Sequence, residues 1–358
     1  MSRHLSRDSR EFIVAKYYRT KGDDLVLPYN FRSREFAFQL FSAKRYIRHL
    51  SFGSKEELIR WIITKLPHSV FYSSAIYEIP DAPNMKEKGW TGAELQLDID
   101  VDHLAECKND IYNPCKDSSM DIKLFKENCL ETGFLKAYEA KIILERDFGL
   151  KHIEIHFSGN RGFHVLVRDR GVLLLEGDER RELADYLNGT GLALNTVIPK
   201  RRGLTSQIPT PEEPGWRGRL ARWAINLYKN KKGQVDNGFE EYFWNNLEKI
   251  IQVTSIETDA QVTIDTTRLI RIPGSVNGKS GLLVSDIKKT PNMEIYLDEF
   301  SPFNGTLKIT PLCNMEVFFG GKKLVFSKNI AYKVEGSIGV FLLFKGLARL
   351  VYSGDLIV

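Results

Sequence analysis

Hydrophobic and polar positions alternate most strictly between Glu94 and Asp102, read ELQLDIDVD. Leu95, Leu97, Ile99 and Val101 share one parity, and Glu94, Gln96, Asp98, Asp100 and Asp102 the other. Successive side chains of a strand point to opposite faces, so the pattern predicts a half-buried strand with a row of carboxylates on its open face. Carboxylates at i and i+2 repel. A divalent cation, which prefers oxygen ligands, is the natural counter-charge, and a plainly solvated strand face is the competing reading.

The same patterning organises the rest of the chain. A helix is expected over residues 8–20, then a hairpin from SREFAFQLF and KRYIRHLSF, in which Glu35, Tyr46 and Arg48 stand out. Ser54 with Glu57 makes a capping box for a helix running to Leu66, and FYSSAIYEIP reads as a strand. A long helix follows from Cys129 to Phe148, with Gly149 as its stop signal. HIEIHF and FHVLVRD are strands flanking the turn SGNRG, and helices are expected over 178–187 and 238–251. Beyond them, TSIETDAQVTID and TTRLIRIPGSVNGKSGLLVSDI read as strand-like segments around a turn bearing Gly and Lys. SIGVFLLFKGLARLVY fits either a buried strand pair or a short helix. The fold class is therefore α/β (α+β): a mixed-sheet domain built discontinuously from 1–174 and 253–358, with a smaller, mainly helical insertion at 175–252.

Composition changes this picture little. The 358 residues carry a net charge of +5, which permits a polyanionic partner without demanding one. Basic residues concentrate in PKRRG and GWRGRLARWAINLYKNKKG. There, Lys and Arg interleaved with Trp216, Trp223 and Tyr228 suit a nucleic-acid strand, or equally an amphipathic helix with a solvated basic face. Four cysteines are too few for a disulfide scaffold and point to a reducing, intracellular (cytoplasmic) setting. No apolar run reaches the roughly 18 residues of a membrane span.

Chemistry emerges when the motifs are combined. Asp98 and Asp100 offer a metal cradle; Ser158, Asn160, Arg161 and His164 place donors on or beside the SGNRG turn; Arg268, Arg271 and Lys279 add cations around a second Gly-rich turn. Carboxylates paired with separate phosphate donors are what nucleotidyl transfer requires. LDID preceded by a glutamate, SGNRGFH and RLIRIPGSVNGKSG resemble the three signature motifs of the small, catalytic subunit of archaeal and eukaryotic DNA primase. The REFAFQLF…RYIRHLSF hairpin is similar to that family's N-terminal motif, so the resemblance runs in order from about 34 to 284.

The resemblance implies an enzyme that copies single-stranded DNA template into short RNA or DNA primers from nucleoside triphosphates, using Mg²⁺ or Mn²⁺. Asp98 and Asp100 are then two of three metal-binding carboxylates. Glu257, Asp259 and Asp265 are candidates for the third, and the family's spacing selects Asp259, leaving Asp265 to orient the arginines. Asp102 is expected to lie outside the site. Ser158, Arg161 and His164 resemble triphosphate-binding residues, Arg271 and Lys279 cationic partners of the nucleotide, and Tyr46 and Arg48 contacts near it. Asn277 departs from the family, which usually has histidine there; asparagine can donate a hydrogen bond but cannot become cationic. The family's zinc site suggests His103, Cys107, Cys115 and Cys129 as a Zn²⁺ ligand set, although no CxxC pair is present. Cys313 is expected in the core. A large primase subunit is the implied partner. Two rivals are a primase-like gap-filling polymerase of end joining, against which the hairpin argues, and a non-catalytic nucleic-acid-binding subunit, which would gain nothing from clustered negative charge facing phosphate.

Overall fold

The acidic strand forms as its alternation demands, over Leu95–Asp100, at the edge of a four-stranded antiparallel sheet. Across that sheet the order is Ser285–Asp286, Ile153–Phe157, Gly162–Val167 and then the acidic strand. This computed structural model describes residues 8–41, 45–115, 120–198, 208–233, 235–236, 238–291 and 293–358. Leu95, Leu97, Ile99 and Val101 are fully buried. They face the helix Asn128–Phe148, which ends at Gly149 as its composition predicts. Gly133 lets this helix approach closely, since a Cβ there would meet Val101 at 2.8 Å and Phe163 at 3.2 Å.

A second four-stranded antiparallel sheet, ordered Leu269–Arg271, Pro67–Ser73, Phe36–Leu40 and Tyr46–Leu50, contains the expected hairpin. Residues 42–44 of its turn lie outside the described residues. The helices Ser9–Lys21 and Lys55–Lys65 appear near the expected positions, and the Ser54 hydroxyl accepts from the Glu57 amide at 3.3 Å. One buried carboxylate ties the two sheets together. Glu94 accepts from Arg34 at 2.7 Å and Tyr72 at 3.1 Å on one side, and from Arg168 at 3.2 Å on the other.

Several expectations are revised. The segment expected as a strand around TSIETDAQVTID is instead a short helix, Ala260–Ile264, because Asp259 caps it by accepting from the Gln261 amide. The helix expected over 238–251 is two, Phe239–Asn245 and Leu247–Thr254. The ambiguous SIGVFLLFKGLARLVY resolves into a buried helix, Gly336–Phe344, followed by a strand, Ala348–Tyr352. That strand pairs with Thr306–Pro311 in a third sheet completed by Tyr332–Glu335.

The basic, aromatic stretch forms the helix Gly215–Lys232, whose rings are packing material. Trp216 joins Leu220, Ala224, Phe243 and Ile250 in a separate apolar cluster, Tyr228 is buried, and Trp223 donates to Glu139. Two of the three rings, Trp216 and Tyr228, are therefore packed in the interior rather than open for stacking. PKRRG lies outside the described residues.

The cysteines also depart from expectation. Cys115 forms a disulfide with Cys313, 198 positions away, so its sulfur is committed to another sulfur. Cys107 and Cys129 are buried free thiols. The zinc set His103, Cys107, Cys115 and Cys129 is thus not assembled. The one metal-competent group of side chains found among the described residues contains no cysteine.

Candidate active site

The two four-stranded sheets meet at a cleft of about 440 Å³, within the size range of small-molecule sites. One wall comes from the acidic strand and its neighbour: Gln96, Asp98, Asp100 and His164, with Ser158, Asn160 and Arg161 on the turn between strands. The other wall carries Tyr46, Arg48, Phe71, Arg268 and Arg271, and Lys279 comes from the second Gly-rich turn. The predicted residues Asp98, Asp100, Ser158, Arg161, His164, Arg271, Lys279, Tyr46 and Arg48 are therefore brought together from segments more than two hundred positions apart.

Register explains the first wall. His164 lies directly opposite Asp98 in the antiparallel pair, so both project from one face, with Nε2 3.5 Å from Asp98 Oδ1. Gly162 lies opposite Asp100, and a Cβ there would sit 2.4 Å from Asp100 Oδ1 and 2.8 Å from the Ile99 carbonyl. Glycine at that position keeps Asp100 in place. Arg161 reaches back over the carboxylates, with Nη1 2.7 Å from Asp102 and Nη2 3.5 Å from Asp100. On the second wall Arg48 is oriented by buried Glu35, which accepts from its Nε at 2.8 Å. Tyr46 is about half exposed and packs edge-on against Phe71.

Crowding of like charge shows in the proton affinities. Asp98 is pushed up to about 6 by burial and by neighbouring Asp259, against the pull of Arg268. Burial also pushes Asp100 up to about 6, with Asp98 adding to it. Burial pushes His164 down to about 3, reinforced by His156 and Arg271, so its ring is neutral at ordinary pH and offers a hydrogen bond rather than charge. Burial lowers Arg271 to about 10, which leaves it cationic, and its guanidinium stacks 4.7 Å from the Phe71 ring centre. Burial likewise lowers Lys279, with help from Arg271 and Arg161.

Asp265 occupies different ground from that expected of it, and Asp259 lies beside Asp98. Asp265 lines the cleft, but its carboxylate accepts from the amide and hydroxyl of Thr267, each at 2.8 Å, rather than from an arginine. Asp259 sits beside Asp98, its amide donating to the Asp98 carbonyl at 3.1 Å, while lining an adjoining hollow with His103 and Glu257. Asp100, Asp102 and His103 each offer a ligand atom within 4.8 Å of the others, a group able to hold a cation. That group draws in Asp102, which the sequence reading had left out, and takes His103 from the zinc set.

Gln96 and Phe71 line the cleft without having been assigned to it. Gln96 shares the parity of Asp98, a signal already present in the alternation; Phe71, inside an apolar strand, carried none. Asn277 is buried, and its Nδ2 donates to the Ser158 carbonyl at 2.8 Å while its Oδ1 accepts from the Lys279 amide at 3.0 Å. The residue that departs from the histidine pattern thus joins the two Gly-rich turns.

Known proteins resemble this chain over most of its length. The family model described as DNA primase small subunit matches residues 97–288, which span the acidic strand and both turns. The chain is 34% identical to the "DNA primase small subunit PriS" of Staphylothermus marinus over 97% of this chain and 96% of that protein. It is 36% identical to the protein of the same name from Saccharolobus solfataricus, over 91% of each, and 34% identical to that of Aeropyrum pernix, over 96% of this chain and 93% of that one. No described helix is long and apolar enough to cross a membrane. With carboxylates and cations facing one cleft, and with likeness over nearly the whole chain, the chain belongs to the DNA primase small subunit family, as a DNA primase catalytic subunit of nucleotidyltransferase type.

Proposed function

We propose that the cleft performs template-directed synthesis of short primers on single-stranded DNA from nucleoside triphosphates, as a DNA-directed RNA polymerase of the nucleotidyltransferase class. The observation that carries this reading is the opposition of two half-buried carboxylates, Asp98 and Asp100, to Arg268, Arg271 and Lys279, which have no carboxylate within ion-pair distance among the described residues. Asp98 Oδ1 is buried without a hydrogen-bond partner, and a hard cation suits such an oxygen. Mg²⁺ or Mn²⁺ would be held by Asp98, Asp100 and Asp259, and when bound would activate the 3′-hydroxyl and stabilise the leaving pyrophosphate.

The chain's own side chains supply the rest. Ser158 and Arg161 bind the triphosphate from the turn, neutral His164 donates a hydrogen bond, and Arg271 and Lys279 balance the charge that accumulates as pyrophosphate departs. Tyr46 and Arg48 position the nucleotide from the opposite wall, with Arg48 oriented by Glu35. The helical segment 175–252 is a subdomain inserted in the discontinuous catalytic domain 1–174 and 253–358, and a large primase subunit completes a DNA-binding primase complex.

Incubation of the full chain with unprimed single-stranded DNA, nucleoside triphosphates and Mn²⁺ should yield discrete short products. Asp98→Ala combined with Asp100→Ala should abolish them while the thermal unfolding transition persists. Undiminished synthesis by that double variant would overturn the assignment.

A further inference from the structure

The turn at residues 158–162 is secured from three directions. Asn277 holds the Ser158 carbonyl at 2.8 Å, and the Ser280 hydroxyl donates to the Gly159 carbonyl. The third hold comes from a distant part of the chain: Lys345 Nζ donates to Asn160 Oδ1 at 2.7 Å. Lys345 caps the buried helix Gly336–Phe344 and is the one charged residue between Glu335 and Arg349. Its stem passes the Phe341 ring, with Nζ 5.3 Å from the ring centre.

A lysine here is costly to the fold unless it serves a purpose. No carboxylate of the described residues pairs with it, and burial followed by the charges of Arg161 and Lys279 lowers its amine to about 8. A third cation is thus gathered behind a turn that already presents Arg161, with Lys279 nearby. An ammonium in such company gains when a polyanion arrives. Asn160, its partner, lines the cleft, which places Lys345 one side chain behind the cleft wall.

We propose that Lys345 is a positioning residue of the triphosphate pocket, fixing through Asn160 the turn that carries Ser158 and Arg161 and adding an unneutralised positive charge behind it. It touches no reacting atom. It also lies outside residues 97–288, where the family match falls. The inference rests on the cleft being the nucleotide site.

The test is steady-state extension of an annealed primer-template by the full chain in Mn²⁺, comparing wild type, Lys345→Met, Lys345→Arg and Asn160→Ala. Loss of a charge-assisted hydrogen bond should raise the KM for nucleoside triphosphate in Lys345→Met about tenfold. Its kcat should stay within about twofold, because only nucleotide binding is weakened. Lys345→Arg should restore most of the affinity, and Lys345→Met combined with Asn160→Ala should be no worse than the poorer single variant, since both remove one link. An unchanged nucleotide KM in Lys345→Met overturns the proposal. So does a loss confined to the KM for primer-template, or a fall in kcat and melting temperature together that arginine does not rescue. Asp98→Ala with Asp100→Ala is run alongside. If that control is inactive while Lys345→Met behaves as wild type, the positioning role alone fails; if the control remains active, the reading of the cleft fails.

Discussion

The cleft and the helix Gly215–Lys232 are assembled from the same kinds of residue, arginines among aromatic rings, yet they do opposite things with them. In the helix, Arg217 pairs with Glu213 and donates to the Val197 carbonyl at 2.6 Å, and Arg222 donates to the Pro211 carbonyl at 2.6 Å. Arg219 lies flat against Trp216, 4.1 Å from its ring centre, and 4.0 Å from Asp147. Charge and ring are spent on holding helices together. In the cleft, Arg271 also stacks on a ring, Phe71, but it and Lys279 have no carboxylate within ion-pair distance among the described residues, while half-buried Asp98 and Asp100 lie close together. Density of basic and aromatic residues is therefore a poor guide to a binding surface. What separates the two regions is how far the protein itself satisfies the charge, although Arg219 Nε and Nη1 in the helix also lack a hydrogen-bond partner, and an unsatisfied set is destabilising unless a ligand completes it.

Substitutions can break that contrast. The largest effect is expected from Trp216→Ala, which empties a core position and gives up the Nε1 bond to the Tyr186 carbonyl at 3.0 Å. Chemical denaturation should report a loss of about 3–5 kcal/mol, with single-stranded DNA affinity of the folded protein unchanged. Weakened DNA binding at wild-type stability would return the helix to a nucleic-acid surface. Arg271→Met should do the reverse, lowering kcat/KM for nucleotide incorporation about a hundredfold, as expected for loss of a buried phosphate partner, with little change in stability. A melting temperature that falls in step with activity would make Arg271 a structural residue like those of the helix Gly215–Lys232.

The smallest effect is one of pH. A carboxyl whose affinity for protons is raised on folding takes up protons in the folded state first, so stability declines as pH rises from the ordinary carboxylate range through about 6. In chelator-treated protein at pH 7.5, Asp98→Asn should therefore be more stable than wild type by about 1 kcal/mol. The difference should shrink as pH drops below about 6, where Asp98 in the wild type becomes protonated. A variant less stable than wild type at pH 7.5 would mean that Asp98 is satisfied without a ligand.

Much of the fold was legible because it is local. The strand at 95–100, the helix ending at Gly149 and the hairpin at 36–50 each follow from periodicity and a stop or cap signal. The errors have a common origin in tertiary context. Residues 260–264 looked extended because Val262 and Ile264 alternate with polar residues, but the Asp259 cap starts a helix there. Cys115 looked like a companion of Cys107 and Cys129 because it is near them in sequence; its true neighbour is Cys313, which no spacing rule reaches. Asp259 and Asp265, six positions apart, face different hollows because a turn of helix lies between them.

By itself, the sequence determined which residue types would face open space. Strict alternation forces Asp98 and Asp100 to one side of a strand whatever the rest of the chain does, and the order of the motifs identifies the family. Only the tertiary structure decided what stands opposite them. Antiparallel register sets His164 beside Asp98, Gly162 makes room for Asp100, and the second sheet carries Arg271 across to the other wall. Lys345, carried in on a helix near the end of the chain, arrives behind Asn160. The physical reason is the range of the interactions. Alternation and capping act between residues a few positions apart, whereas a site of opposed charges depends on contacts between segments that meet only when both sheets and the buried helix have packed.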